Sequence, residues 1–180
     1  MEISGFTRTS DAVFESSANP VTVDQNQIAK LVLAAKQAEN GRARLILHPS
    51  RTDSLHEMVI ALPPRSFDHP HINDRSGKSF LALSGDFCVV TFHDDGEIEN
   101  AIILSAKGHI GAKMVRLGKP TWHTIIPLDR DCVFLETILG PFTGNRFLPT
   151  CPNPSEEAFR LFADRARKFA LEKYREIKGS

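Results

Sequence analysis

Residues 65–85, RSFDHPHINDRSGKSFLALSG, place an H-x-H pair, His69 and His71, on a polar loop and follow it with an apolar strand that stops at Gly85. Neutral imidazoles are the commonest protein ligands for transition metals, and two of them in one loop can share an ion. A lone histidine comes later in TWHTIIP, where His123 sits on another apolar strand. Two such segments facing each other across a β-barrel would make one small buried site.

Outward from this stretch, the apolar pattern has a period of two from Arg42 to Leu139. RARLILH and LHEMVIAL are separated by PSRTDS, a loop of turn-forming residues. In the first, Arg44, Ile46 and His48 share a face; in the second, His56, Met58, Ile60 and Leu62 do. KSFLALS and DFCVVTF meet at Gly85, and HDDG turns the chain into EIENAIIL. AKMVRL, TWHTIIPL and CVFLETIL follow. About eight or nine short strands at such intervals predict an all-β sandwich or barrel.

Helices are expected on both sides. Asp24 can cap a helix in which Ile28, Leu31, Val32 and Ala35 recur at helical spacing, with Gly41 as the stop. After Gly140-Pro141 and an irregular stretch, Asn153 is expected to cap a long helix with Pro154 at its first position. Phe159, Phe162, Ala163, Ala166, Phe169, Ala170 and Tyr174 form its apolar stripe, which needs the barrel or a second subunit to cover it. The predicted division is an N-terminal arm over 1–22, mobile or docked on a partner subunit, a barrel with its leading helix over 23–150, and a C-terminal helix over 151–180.

Composition narrows the function classes. Lys+Arg at 22 equals Asp+Glu at 22, so no overall field attracts nucleic acid or an anionic membrane. No apolar run approaches the roughly 20 residues that span a bilayer, and MEISGFTRTSD lacks the features of a secretory signal. Cys88, Cys132 and Cys151 are odd in number and widely spaced, which fits reduced thiols in a cytoplasmic protein. There is no G-x-S-x-G, no P-loop and no complete H-E-x-x-H. The expected partner is a small molecule.

The order of these elements resembles the cupins, and more closely the WbuC-type cupin-fold metalloproteins. The resemblance rests on the leading helix, the R-x-R-x-x-x-H strand (Arg42, Arg44, His48), FHDDGEI, TWHTIIP, Leu135-Glu136 and Gly140-Pro141-Phe142, and it covers residues from about 23 to 150. It implies a cupin jelly-roll β-barrel with flanking N-terminal and C-terminal α-helices, a homodimer, and one divalent transition metal (Zn, Fe, Ni or Mn) in the mouth. Members of that group tend to be encoded beside surface-polysaccharide biosynthesis genes, which implies a sugar or nucleotide-sugar as ligand.

The first cupin motif, anchored without gaps on Gly85, puts the glutamate position on Lys78, the two histidine positions on His71 and Asn73, and the opening glycine on Arg65. The second motif fits at His123, with Gly118 and Pro120 before it. The family's three histidines and one glutamate therefore become His71, Asn73, Lys78 and His123. A rival register takes His69 and His71 as the pair and needs two extra residues before Lys78. An ammonium is no metal ligand, and beside a divalent cation it repels it. Lys78 at the glutamate position thus argues for a degenerate site with no metal, and it asks for an anionic neighbour such as Glu136 or Glu57.

The expected ligand pocket comprises Arg44, His48, His71, Asn73, Lys78, His123 and Glu136, with His71, His123 and His69 as the metal candidates and His109 as a candidate lid residue. Three function classes remain: a cupin binding a polar small molecule, a metal-dependent isomerase, epimerase or oxygenase-like enzyme using His71 and His123, and a non-catalytic assembly or regulatory cupin.

Overall fold

Strict alternation along a strand assigns odd and even residues to opposite faces, and in this chain both faces are covered. The computed structural model describes residues 2–179 other than Asp74, Ser76, His109 and Asp129; the lid position His109 therefore lies outside the described residues. The strands are β1 (Thr7–Ser10), β2 (Val13–Glu15), β3 (Ala43–Ile46), β4 (Leu55–Leu62), β5 (His71–Ile72), β6 (Lys78–Ser84), β7 (Asp86–Phe92), β8 (Ile98–Ser105), β9 (Met114–Leu117), β10 (Trp122–Pro127), β11 (Cys132–Leu139) and β12 (Arg146–Phe147). Helix α1 (Gln25–Gln37) lies between β2 and β3, and α2 (Glu157–Gly179) ends the chain. One sheet runs β1-β2-β3-β4-β11-β6-β9 and the other β12-β5-β10-β7-β8. Neither closes into a barrel: the architecture is two open sheets and two helices.

The inner faces meet in a core of Ile60, Leu62, Phe80 and Phe134 from the larger sheet with Phe87, Val89 and Ile125 from the smaller. Helix α1 covers the outer face of the larger sheet, setting Ile28, Leu31 and Ala35 on Leu45, Val59 and Val133. Its start follows from a capping box: Asp24 accepts from the Gln27 amide at 2.8 Å, and the Gln27 side chain accepts from the Asp24 amide at 2.7 Å. Helix α2 covers the smaller sheet, setting Ala166, Ala170 and Tyr174 on Val90, Trp122 and Ile126. Gly85 joins β6 to β7 at φ +71°, and the Asp131 carbonyl stands where a side chain would begin, so only glycine fits.

Three expectations change. Residues 7–15 form no free arm: β2 adds in parallel to β3, and Ile3 and Phe14 are buried in the α1 layer because they supply the apolar surface that the short strands need. Asn153 caps no helix; its side chain accepts from the Ser155 amide in a local turn, and α2 starts at Glu157. Phe169 is 40% exposed, since the close approach of α2 to the sheet is made by Ala163, Ala166 and Ala170.

At the far end of α2 the buried Tyr174 hydroxyl donates to Asp86 Oδ2 at 2.7 Å. Tyr174→Phe should therefore cost about 1.5–3 kcal/mol, the usual range for a hydrogen bond to a charged group. Urea denaturation with an unchanged m-value would show it.

Candidate functional site

Pairing in the larger sheet brings the alternating residues of four strands into rows. Arg44 lies opposite Ile60, which lies opposite Phe134. The next row is Ile46, Met58, Glu136 and Phe80, and beyond it His56, Ile138 and Lys78. All but Phe80 line a cleft of about 620 Å³ between the sheets. The smaller sheet contributes His71, His123 and Ile125, and Phe142 and Phe147 also line the cleft.

His71 and His123 are direct cross-strand partners on β5 and β10, with ring centroids 4.7 Å apart. They share the pocket, but on neighbouring strands of one sheet and not across from each other. Each ring is held by its own backbone: His71 Nδ1 is 3.1 Å from the His69 carbonyl and His123 Nδ1 is 2.7 Å from the Thr121 carbonyl. A carbonyl only accepts, so both Nδ1 atoms carry the proton and both Nε2 atoms keep a lone pair.

Lys78 uses one of those lone pairs. Its Nζ lies 3.1 Å from His71 Nε2 and 3.7 Å from Glu136 Oε2, with the lysine side chain 4% exposed and the carboxylate 12%. The carboxylate offsets the desolvation of the ammonium, and the imidazole fills one of its donor positions. Burial first, and then the Lys78 charge, push the His71 imidazole down to about 3. The same two causes, joined by His71, hold His123 well below its ordinary value.

The sign of the pH dependence follows. A histidine depressed in the folded state gains a proton on unfolding, so stability is complete above about pH 6.5 and falls as pH drops toward the folded value, at up to about 1.4 kcal/mol per pH unit for each group. The urea midpoint should drop between pH 7 and pH 5, and His71→Asn should flatten that drop.

A second cluster stands at the end of the cleft. His48 and His56 stack at 3.9 Å with planes 7° apart, and the Gly140 backbone packs against the His56 ring so closely that an added Cβ would lie 2.6 Å from Cδ2. Burial depresses His48, partly countered by its contact with the Glu57 backbone. Arg42 pairs with Asp68 at 2.6 Å.

Of the expected pocket residues, Arg44, His48, His71, Lys78, His123 and Glu136 line the cleft. Asn73 does not: it is buried, and its side-chain oxygen accepts from the Arg75 amide at 3.0 Å. His69 packs beside Phe147 and Phe159, the latter from α2, so the His69–His71 pair does not converge on one point in the cleft. Glu57, the other carboxylate suggested for Lys78, alternates out of the cleft, and Glu136 takes that place. Sequence reading missed the Arg42–Asp68 pair and Phe147, whose strand is two residues long and has no period to read.

A family model described as a domain of unknown function (DUF6016) matches residues 23–104, less than half of the chain. No curated protein sequence matches. Among solved structures, a cupin-like protein from Thermotoga maritima is 13% identical with a TM-score of 0.50, over 68% of this chain and 85% of that one. The fold is cupin-like. CapF, solved with the inhibitor 3-isopropenyl-tropolone, is 18% identical with a TM-score of 0.50, over 62% of this chain and 32% of its own. Bacillus subtilis oxalate decarboxylase, described for its Mn(II) centres, is 15% identical with a TM-score of 0.43, and this chain spans about a quarter of its length (24%). No helix among the described residues is long and apolar enough to cross a membrane.

The residues at the cleft do not suit a divalent metal. Among the described residues no three His, Cys, Asp or Glu side chains converge to hold one. The Lys78 ammonium stands within 3.1 Å of His71 Nε2 and 3.7 Å of Glu136 Oε2, where it repels a cation.

Proposed function

We propose that the chain is a small cupin that binds a polar small molecule in the inter-sheet cleft, with a degenerate metal site in which Lys78 takes the place of the ion. The observation that carries this reading is the 3.1 Å contact of Lys78 Nζ with His71 Nε2, beside Glu136. On this reading the two open sheets are a jelly roll, and the protein acts as a homodimer. A sugar or nucleotide-sugar ligand in surface-polysaccharide biosynthesis rests on the resemblance to WbuC-type cupins. A ligand that binds the folded state raises the melting temperature in proportion to the logarithm of its concentration over Kd. Excess chelator, Zn²⁺, Ni²⁺ or Mn²⁺ should each leave the melting temperature unchanged. A rise of several degrees with one ion would contradict the proposal.

One observation favours a metal-dependent enzyme instead. Both Nδ1 atoms are tied to carbonyls, which leaves two Nε2 atoms on neighbouring rings with Glu136 nearby. That reading requires Lys78 to leave its present position.

A further inference from the structure

Among the described residues, four cationic side chains, Arg42, Arg44, Arg51 and Lys78, line the cleft against three carboxylates, Glu15, Asp68 and Glu136. Arg42 is committed to Asp68 at 2.6 Å and Lys78 to Glu136 at 3.7 Å. Arg44 lines the same space and is half-buried, yet no hydrogen bond or ion pair ties its guanidinium to a described residue. The Arg42 Nε atom is likewise buried without a partner. A guanidinium presents five donors in a fixed fork that matches carboxylate and phosphate oxygens, and a desolvated fork left unused is costly. Desolvation, and then the neighbouring Arg42 charge, lower Arg44 from its ordinary value, only partly countered by the Glu136 and Asp68 carboxylates, and an arriving anion would add to that counterweight.

The cleft wall also carries apolar surface. Phe142 and Phe147 line it while staying 46% and 57% exposed. A cleft lined by an unpaired guanidinium and by two exposed aromatic rings describes a ligand with two ends.

We infer that the cleft takes a small organic acid, a phosphate or carboxylate on a ring-bearing body, with the anionic group on Arg44 and the ring against Phe142 and Phe147. This deepens the metal-free reading and rests on it for the state of the pocket. The two anionic groups share the chemistry of the fork, and the probes separate them.

Calorimetric titration of the full chain with phenyl phosphate, 3-phenylpropionate, inorganic phosphate and the uncharged 3-phenylpropanol tests the inference. At least one ring-bearing acid should bind, at least tenfold more tightly than 3-phenylpropanol. Phenyl phosphate alone would assign a phosphate ligand, and 3-phenylpropionate alone a carboxylate. Arg44→Gln should remove that binding by tenfold or more. Phe147→Ala should weaken the ring-bearing acids and leave inorganic phosphate unchanged. Circular dichroism and the melting temperature identify a variant that has failed to fold, and Arg44→Lys then serves instead, keeping the charge but losing the fork. Equal affinity for the acids and the alcohol, or full affinity in a folded Arg44→Gln, overturns the inference. Running each titration with chelator and with Zn²⁺ separates the two claims. Acid binding that appears only with Zn²⁺ and survives Arg44→Gln overturns both, whereas Zn²⁺-dependent binding lost in Arg44→Gln overturns the metal-free reading alone.

Discussion

Phe80→Ala should cost about 3–5 kcal/mol, a large share of the roughly 5–15 kcal/mol that holds a domain together. Phe80 is fully buried where the two sheets meet, with Phe134 at 5.8 Å and the His123 ring at 5.7 Å between centroids. Truncation removes apolar contact and leaves a cavity that strands paired on both sides cannot collapse to fill. Phe169→Ala is the matched control: its ring is 40% exposed on α2, so its cost should be about 0.5 kcal/mol or less. Denaturant melts of the two variants would decide the matter, and similar losses would contradict the placement of the core between the sheets. Because Phe80 backs His123, the first variant should also loosen the histidine pair, visible as broadened imidazole signals.

The second large effect is a gain. Lys78→Glu replaces the positive charge beside His71 with a negative one next to Glu136. At an effective dielectric of about 20, each unit charge about 4 Å from a divalent ion is worth several kcal/mol, and about 1.4 kcal/mol is tenfold in Kd. The variant should therefore bind Zn²⁺ or Ni²⁺ more than a hundredfold more tightly than the wild type. Without metal it should melt lower, because the introduced carboxylate faces Glu136, and the ion should restore the loss. Asn73→His should add nothing, since Asn73 is turned to the Arg75 backbone and away from the cleft. A Lys78→Glu protein with wild-type metal affinity would mean that position 78 does not govern the site.

How much of this was legible in the sequence follows from which features are local. Period two located eight of the strands, β4, β6, β7 and β11 to the residue, and it put Arg44 with His48 and His56 with Met58 on common faces. The gapless spacing from Gly85 put Lys78 with His71, and the two side chains touch. The same spacing failed at Asn73. Strand β5 is only His71–Ile72, so alternation no longer sets the direction of Asn73. Strands β2, β5 and β12 have two or three residues each, too few to show a period, and β1 pairs only with β2; all four form on edges that the rest of the sheets provide. The stacking of His48 on His56 and the packing of Gly140 against His56 depend on chain returns that no local pattern encodes.

One contact is central to the metal-free reading, the Lys78 ammonium beside His71 and Glu136 in the place of an ion. Elemental analysis of the purified wild-type protein after dialysis against a chelator tests it most directly. The prediction is far less than one equivalent of any transition metal, unchanged in His71→Ala. One equivalent retained by the wild type and lost in His71→Ala would contradict it.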